Sequence, residues 1–244
     1  MHKTLIFQID IGKGTQWLKD TSIDPIRKIF IPSVKNYANK YNYDYKLVNE
    51  SEYLKRGGNF DFLSTKEKHY SFERYYHFIN NYDVTVYLDN DIYILDNASK
   101  LPQVDCLMNA PEPEGNSSKI FRKENNISSH VKYYNSGVTM INKKIGVDLQ
   151  NYMQKRERNK IRSRGKNSDN MMLNEYILDN SENFKELGNE WNYMPFLPNS
   201  EKLKAVNFFH FVGIPGKQLI LQMLNQNINI EKNLEEIIND YFIK

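Results

Sequence analysis

The sequence predicts an α/β protein with one domain, in which helices flank a mostly parallel central sheet. Three apolar, strand-like segments alternate with helical segments over the first part of the chain: strands at residues 3–9, 43–49 and 84–88, and helices at about 22–41 and 65–82. Alternation at this spacing is typical of parallel βαβ units. The length of 244 residues suits one large domain with a substantial core, and no repeat or long linker divides it.

Apolar runs and prolines define the elements of this first part. Residues 3–9 form a buried strand that ends at Asp10, and the helix at 22–41 contains two prolines. Pro25 is tolerated in the first turn of a helix. Pro32 predicts a kink or a break, because proline lacks the amide hydrogen that an interior helical position needs.

The second part of the chain has shorter elements. They are strands at 104–110, 137–142 and 205–213, a loop rich in Pro, Gly and Ser at 111–118, and a helix at 168–178 capped by Ser168. Apolar positions from Lys217 onward have a helical spacing. We therefore expect a single domain over residues 1–244, with one half to about residue 110, a second half at 111–217 and a helical tail at 218–244.

Composition excludes several classes of protein. The net charge of +3 is too small to indicate nucleic-acid binding, and the single cysteine, Cys106, rules out an internal disulfide and a Cys-rich zinc site. One cysteine is also typical of a reducing compartment. There is no signal-peptide pattern and no apolar run of the length that a membrane span needs. We expect a cytoplasmic protein without a transmembrane segment.

A basic stretch, QKRERNKIRSRGK, occupies residues 154–166. The simplest interpretation is a solvated loop. Its charge also suits attraction to an anionic acceptor or to a membrane surface, and the second case would mean peripheral membrane association. The stretch has no interleaved aromatic residues, so it does not indicate RNA or DNA as a partner.

Two carboxylates follow the strand at 84–88, in the segment VTVYLDNDIYIL. Burial of an unpaired carboxylate is costly, so Asp89 and Asp91 should be solvated or neutralised by a cation. Ligands of doubly wound sheets bind beyond the carboxyl ends of the strands, and residues i and i+2 of an extended chain share a face. The pair therefore suits Mg²⁺ or Mn²⁺, which in turn would bind a diphosphate.

Two other interpretations apply to the same pair. The first is a polar strand end without any ligand. The second is a calcium-binding loop, which the sequence contradicts: the sixth loop position is Ile94 instead of glycine, and the twelfth is Lys100 instead of glutamate.

The segment around Asp89 and Asp91 resembles the Asp-x-Asp motif of nucleotide-sugar glycosyltransferases of the GT-A fold. Further segments agree with this family in the expected order, and the last two are similar to its family-8 type. They are FERYY (72–76), YNSGVTMIN (134–142), LGNEWNYMP (187–195) and FFHFVGIPGK (208–217). The resemblance covers most of the chain and implies a single GT-A domain, with a nucleotide-binding half at about 1–110 and an acceptor half at about 111–217.

The resemblance also implies a metal site and a donor site. Asp89, Asp91 and His210 would bind Mn²⁺ or Mg²⁺. The implied contacts to the nucleotide-sugar donor, with uridine as the expected base, are Asp10, Arg74, Asp89, Asn90 and Lys217. The match is incomplete after Gly213, where the family usually continues Gly-x-x-Lys-Pro-Trp: here the lysine comes one position late and the Pro-Trp is missing, so the role of Lys217 stays open.

Three further residues are implied at the reacting sugar. Asn135 would face the donor sugar, Asp169 would lie beside the anomeric carbon, and Asn170 would occupy the position on the β side of the sugar. Likeness to the family-8 type implies transfer with retention, in which the leaving phosphate takes the proton of the acceptor. The implied acceptor is a glycan or another hydroxyl compound.

Each of these residues also has a structural interpretation that the sequence leaves open. Arg74 could face water on an amphipathic helix, and Asn135 could satisfy the turn before Gly137. Asp169 could interact only with the helix dipole. Asp10 could be a helix cap or a solvated loop residue. Of the residues from the later segments, Trp191 and His210 could belong to the core.

Two rival functions remain at this point. A sugar-phosphate nucleotidylyltransferase shares the fold class and the metal chemistry, and IGKGTQW (11–17) is faintly similar to its Gly-x-Gly-Thr-Arg loop. Gln16, however, stands where an arginine should bind the triphosphate. The other rival is a catalytically inactive nucleotide-sugar-binding protein, which the intact acidic pair and His210 argue against.

Overall fold

The computed structural model describes residues 3–11, 26–55, 69–158 and 169–225, and the structural statements below concern these ranges. The strands are β1 (Thr4–Ile9), β2 (Asp44–Val48), β3 (Val84–Leu88), β4 (Ile92–Ile94), β5 (Leu107–Asn109), β6 (Val138–Asn142), β7 (Phe184–Glu186) and β8 (Phe208–His210). The α-helices are α1 (Ile31–Lys40), α2 (Glu52–Lys55), α3 (His69–Tyr76), α4 (Asn116–Asn125), α5 (Lys143–Arg158), α6 (Asp169–Asp179) and α7 (Gly213–Asn225).

A mixed six-stranded sheet with the order β2-β1-β3-β6-β5-β7 forms the centre of the protein. Strand β1 pairs in parallel with β2 and β3, and β5 pairs in parallel with β7. Strand β6 is antiparallel to both of its neighbours, β3 and β5. Five strands therefore share one direction, which confirms the prediction of a mostly parallel sheet with flanking helices.

The last predicted strand lies outside this sheet. Strand β8 pairs with β4 in a separate two-stranded antiparallel ribbon. Its apolar sequence predicts burial but does not specify a partner. The residues of β8 are all buried. A strand of this kind could be buried equally well in the main sheet or in a short ribbon, so its sequence does not choose between them.

Helix boundaries differ from the expectation at several places. A π-helical turn (Ile26–Phe30) passes into α1 next to Pro32, which agrees with the predicted break. Helix α3 ends at Tyr76, earlier than expected, because the Asn80 side chain bonds to the backbone of His77 and Tyr82 and so stabilises a turn. The part of 65–82 before His69 lies outside the described residues.

Two other segments also depart from the expectation. Helix α4 begins inside the predicted loop at 111–118, with the Ser118 side chain bonded to the backbone of Gly115 at its start. The basic stretch begins in α5, which is helical to Arg158, and residues 159–166 lie outside the description, as does the tail beyond Asn225. Within the described ranges, no helix is long and apolar enough to cross a membrane.

The core lies on both faces of the main sheet, and the alternation of side chains along β1 and β3 separates the two layers. Leu5 and Phe7 of β1 and Tyr87 of β3 belong to the layer that includes α3 and α5. Ile6, Val86 and Leu88 belong to the other layer, with β4 and β8. Tyr87 therefore lies on the α3 side, two residues before Asp89.

Candidate metal and donor site

Asp89, Asp91 and His210 come together at the carboxyl end of β3. The His210 Nε2 atom is 3.2 Å from Asp91 Oδ1 and 3.8 Å from Asp89 Oδ2. One ligand atom from each of the three residues lies within 4.8 Å of the others, and among the described residues this is the only such group of His, Cys, Asp and Glu. His210 is 1% exposed and lies on the core side of the group, whereas Asp89 and Asp91 are partly exposed.

Pairing of β4 with β8 brings His210 to the acidic pair. In this ribbon Ile92 is opposite His210, and the backbone N–H of Phe211 donates to the Asp91 carbonyl over 2.9 Å. The chain turns between Asp89 and Ile92, whose N–H donates to the Asp89 carbonyl over 3.3 Å. The two carboxylates therefore meet across a tight turn and not, as we expected, along an extended strand.

The Asp89 carboxylate is held in a fixed orientation. The Tyr87 hydroxyl donates to Asp89 Oδ1 over 2.5 Å, and the other oxygen, Oδ2, faces His210. Arg74, which is 2% exposed, lies over the Tyr87 ring at 4.1 Å, and its Nη2 is 3.7 Å from Asp89 Oδ1. Its Nη1 donates to the Ser136 carbonyl over 2.6 Å. Arg74 is therefore buried beside the acidic pair and does not face water.

The backbone of Gly137 lies directly against this group. A Cβ at this position would be 2.3 Å from His210 Cε1 and 2.9 Å from Asp89 Oδ2. Real Cβ atoms do not approach other heavy atoms this closely. Any other residue at position 137 would therefore displace two members of the group.

Hydrogen bonds fix the proton position on the His210 ring. The backbone N–H of Gly137 donates to the side chain of Asn135 over 2.8 Å, which identifies the accepting atom as Oδ1. Asn192 must then offer its Nδ2 to that oxygen, over 3.0 Å, and its Oδ1 to His210 Nδ1, over 2.8 Å. The Nδ1 atom consequently carries a hydrogen, and Nε2 faces the two carboxylates.

This arrangement fits a divalent cation. The Nε2 atom and one oxygen of each carboxylate lie within 4.8 Å of one another, and a cation between them would offset the repulsion between the two carboxylates. Carboxylate oxygens with one imidazole are a suitable ligand set for Mn²⁺ or Mg²⁺, and a second hydrogen-bonded shell that orients the histidine is typical of metal sites. The residues present therefore fit the implied metal.

The sugar-facing residues predicted from the sequence meet at one carboxylate. Glu112 Oε2 accepts hydrogen bonds from Asn135 Nδ2 over 3.1 Å and from Asn170 Nδ2 over 3.2 Å. Asn170 Oδ1 in turn accepts from the backbone N–H of Ser136 over 2.9 Å and from the Ser136 hydroxyl. Each asparagine amide has a second N–H, which leaves donor capacity toward a ligand.

Three residues that hold this region received no individual role from the sequence, although Asn192 lies in the quoted segment 187–195. Asn174 exchanges two hydrogen bonds with the backbone of Tyr134, and its spacing of four from Asn170 on a helix was a usable signal. Glu112 lies in a stretch interpreted only as a loop. Asn192 follows Trp191 directly, but no spacing connects either Glu112 or Asn192 to the residues that they bind.

The turn between the acidic residues is tied to the end of β1. Asn90 Nδ2 donates to the Ile9 carbonyl over 2.5 Å, and Gln8 Nε2 donates to the Asp89 carbonyl over 3.2 Å. Asn90 Oδ1 is buried and has no hydrogen-bond partner within the described part of the chain. Asp10 follows β1 and is partly exposed, and its N–H donates to the Val48 carbonyl over 2.8 Å.

The remaining predicted residues are described only in part. Asp169 is the first residue of α6, and Lys217 lies in α7, but both side chains are outside the description. Trp191 is 7% exposed and packs edge-to-face on Phe208 with ring centroids 5.2 Å apart, which is a packing role. Of the segment at 11–17, only Ile11 is described.

Helix α3, which carries Arg74, is anchored by a buried carboxylate. Glu73 is fully buried and accepts hydrogen bonds from the Ser51 hydroxyl over 2.6 Å, the Glu52 N–H over 2.7 Å and His77 Nε2 over 3.0 Å. Burial is the largest single influence on its pKa and acts to raise it, but the combined hydrogen bonds hold the pKa of Glu73 below its ordinary value. The carboxylate therefore stays ionised and fixes the helix.

Two cavities lie at opposite ends of the sheet. A cavity of about 250 Å³ adjoins the site, and its walls include Glu112, Lys132, Asn189, Asn192 and Ser200. A larger groove, of about 1090 Å³, lies at the other end, against the first residues of β1, β2 and β3. The group of Asp89, Asp91 and His210 belongs to the carboxyl end, where ligands of such sheets bind, so the smaller cavity is the one next to the candidate site.

No protein-family model and no curated protein sequence matches the chain. Solved structures do match in shape. One is a glycosyltransferase involved in the glycosylation of the major capsid of PBCV-1, with a TM-score of 0.53, 13% identity, and coverage of 91% of this chain and 98% of that one. Another is the galactosyltransferase LgtC in complex with donor and acceptor sugar analogues, with a TM-score of 0.51, 14% identity, and coverage of 86% and 87%. These similarities show the fold, which is the GT-A fold of these glycosyltransferases.

Proposed function

We propose that the protein is a metal-dependent glycosyltransferase that moves a sugar from a nucleoside-diphosphate sugar, with UDP as the expected nucleotide, to a hydroxyl acceptor. One observation carries the proposal: Asp89, Asp91 and His210 converge at the carboxyl end of a parallel strand, in a chain with the GT-A fold. A sugar leaves a nucleoside diphosphate only if the negative charge that develops on the phosphate is neutralised.

The three residues of this group would hold the ion. When bound, Mn²⁺ or Mg²⁺ supplies the charge neutralisation at the leaving diphosphate. The chain itself contributes Arg74, whose buried guanidinium lies 3.7 Å from Asp89 and adds a second positive charge beside the acidic pair. We assign Arg74 to the diphosphate for this reason, and Lys217 on the strength of the sequence resemblance alone.

The nucleoside would lie at the end of β1. Asp10 follows this strand and is partly exposed, as a residue that contacts a ligand must be. Asn90 is assigned to the donor by resemblance, and the bond from its side chain to the Ile9 carbonyl ties it to the end of β1. Asp89 would contribute a ribose contact in addition to its metal bond.

The donor sugar would lie between the metal group and the amides. Asn135 and Asn170 share the Glu112 carboxylate, and each has an N–H left for a sugar hydroxyl. We place Asp169 at the anomeric carbon by resemblance. Retention of configuration, with the leaving phosphate as the group that takes the acceptor proton, is proposed on the same basis.

The acceptor would enter from the cavity beside Glu112. Its walls combine two carboxylates, three amides, two hydroxyls and one lysine, groups that donate and accept hydrogen bonds as a hydroxyl-rich acceptor such as a glycan requires. The basic stretch at 154–166 remains a proposal for attraction of an anionic acceptor or of a membrane surface.

The test combines donor binding with removal of the metal. We expect UDP and UDP-sugars to raise the melting temperature only with Mn²⁺ or Mg²⁺, and EDTA to abolish donor hydrolysis and transfer until either ion is restored. Zn²⁺ should not be required. Asp91→Asn should remove the metal-dependent binding and leave the fold intact, and Asp96→Asn, a change of an exposed aspartate in the next turn, is the matched control.

Other outcomes point to the rival functions. Full activity after exhaustive chelation, or normal Mn²⁺-dependent activity of Asp91→Asn, would show that the metal site is wrongly assigned. Release of pyrophosphate from a nucleoside triphosphate and a sugar phosphate would identify a nucleotidylyltransferase. Donor binding without even slow hydrolysis would identify an inactive nucleotide-sugar-binding protein.

A further inference from the structure

We propose that Asn192 is a positioning residue that couples the metal-binding histidine to the sugar-facing amides, so that metal affinity and the placement of Asn135 depend on each other. The proposal rests on the proposed function, because it assigns a task to a residue between the two halves of that site. Asn192 itself would touch neither the ion nor the reacting atoms.

Neighbouring contacts hold Asn192 rigidly beside β8. Its side chain is 1% exposed, and it follows the 3₁₀ turn Asn189–Trp191. On one side Trp191 packs on Phe208, and on the other the Tyr193 N–H donates to the Phe208 carbonyl over 2.9 Å. The Tyr193 carbonyl also accepts the N–H of His210 over 2.8 Å. The spacing between Asn192 and His210 is therefore fixed by backbone bonds.

Both ends of the Asn192 amide are used, and their polarity is determined. Its Oδ1 accepts from His210 Nδ1, and its Nδ2 donates to Asn135 Oδ1, which also accepts the Gly137 N–H. The position thus requires an acceptor toward the histidine and a donor toward the asparagine. A carboxylate offers only the first, and an aliphatic side chain offers neither.

The two bonds transmit the effect of a cation. A metal on Nε2 withdraws electron density from the imidazole and makes its Nδ1–H a stronger donor to Asn192. Bonds in such a chain polarise one another, so the Asn192 N–H becomes a stronger donor to Asn135. Any coupling of this kind is reciprocal: a ligand that fixes Asn135 also favours the metal-binding orientation of His210.

Two variants separate the two bonds. Asn192→Leu removes both, and we expect it to weaken binding of Mn²⁺ alone by roughly 10- to 100-fold, as the loss of an outer-shell partner of a metal ligand does. Asn192→Asp keeps the acceptor for His210 but places an oxygen against Asn135 Oδ1. It should retain Mn²⁺ affinity within about 3-fold and lose the link to Asn135. Asn183→Asp makes the same chemical change at a surface position and is the control.

The readouts are independent of transferase activity. Mn²⁺ affinity is measured by titration of the free protein, and the Asn135 side-chain amide is followed by NMR during titration with Mg²⁺. We expect the amide resonance to shift in the unaltered protein and in Asn183→Asp, but not in Asn192→Asp. Turnover, if present, should fall in Asn192→Asp through kcat, with the Mn²⁺ dependence unchanged.

Different failures have different meanings. Equal Mn²⁺ affinity in Asn192→Leu and the unaltered protein, or an Asn135 resonance that responds normally in Asn192→Asp, overturns the coupling. Parallel losses of melting temperature and Mn²⁺ affinity in both variants assign Asn192 to packing and overturn it as well. If the unaltered protein binds Mn²⁺ and shows the coupling but transfers no sugar from any donor, the proposed function fails while the coupling stands.

Discussion

The two halves of the site are built from different kinds of groups. The half proposed to bind the metal, called the metal half, consists of charged or ionisable side chains, Asp89, Asp91 and His210, brought together by the β4–β8 ribbon. The half proposed to face the donor sugar, called the sugar half, consists of neutral amides, above all Asn135 and Asn170, arranged around Glu112. A buried charged group needs a specific partner, so an acidic pair next to a strand is a recognisable sequence signal. A neutral amide finds hydrogen-bond partners in many surroundings and gives no such signal. The metal half should therefore be sensitive to charge and space, and the sugar half to hydrogen-bond polarity.

The largest effect is expected from Gly137→Ala, which affects both halves. Its Cβ would lie 2.3 Å from His210 Cε1 and 2.8 Å from Asn135 Oδ1. We expect Mn²⁺-dependent nucleotide binding to be lost, and the free energy of unfolding to fall by about 1–3 kcal/mol through overpacking. Calorimetric titration and urea unfolding measure the two effects.

Gly115→Ala is the matched control for this change. Its nearest atom would be the Pro113 carbonyl oxygen at 3.7 Å, an ordinary contact. If Gly137→Ala binds nucleotide as tightly as Gly115→Ala does, the close approach of the Gly137 backbone to Asp89 and His210 is not needed for nucleotide binding.

His210→Ala should act first on the metal half, where it removes a proposed ligand. We expect the Mn²⁺ concentration needed for nucleotide-diphosphate binding to rise by at least about 10-fold, because one of three ligands is lost. The melting temperature of the metal-free protein should change little. His130→Ala, at an exposed histidine, is the control. An unchanged titration together with a lower melting temperature would make His210 a packing residue, and the third ligand would lie elsewhere.

Tyr87→Phe tests whether the orientation of the Asp89 carboxylate matters in the metal half. It keeps the ring under Arg74 and removes the hydroxyl that donates to Asp89 Oδ1. We expect Mn²⁺ affinity to fall by about 3- to 10-fold, since Asp89 loses a hydrogen bond that orients it. Tyr152→Phe removes a similar bond to Asp179 at the surface and should leave Mn²⁺ affinity unchanged. Equal Mn²⁺ affinities of the two variants would show that the Tyr87 hydroxyl does not contribute to metal binding.

The smallest effect on the site is expected from Glu73, which anchors α3 through Ser51, Glu52 and His77 and contacts none of the proposed metal ligands. Its pKa is lower in the folded protein than its ordinary value of 4.5, so its stabilising contribution is present above pH 4.5 and is lost as the pH falls through the folded pKa. Urea unfolding between about pH 3 and 6 should therefore show a steeper loss of stability on acidification in the unaltered protein than in Glu73→Gln. Identical pH slopes would show that Glu73 does not titrate differently on folding.

Much of the fold was predictable because its signals are local. Continuous apolar runs predicted the main strands, and Pro32 marked a helix boundary where the backbone changes helix type. Helix α4 was missed because its first residues, Asn116 and Ser117, are typical of loops, and its start depends on the bond between Gly115 and Ser118. We predicted a loop from the composition of this segment, because the sequence does not reveal the hydrogen bond that starts the helix.

The sequence by itself indicated a cation site at Asp89 and Asp91, because an acidic pair at the end of a buried strand suits a cation, and the family resemblance added His210 to that hypothesis. Only the tertiary structure decided that they meet, because apolar periodicity does not choose between pairing β8 with the main sheet and pairing it with β4. The reversed direction of β6, which presents Gly137 to Asp89, has the same origin. The chain of bonds through Asn192, Asn135 and Glu112 was decided in the same way, since amides and a single glutamate carry no spacing that reveals a partner.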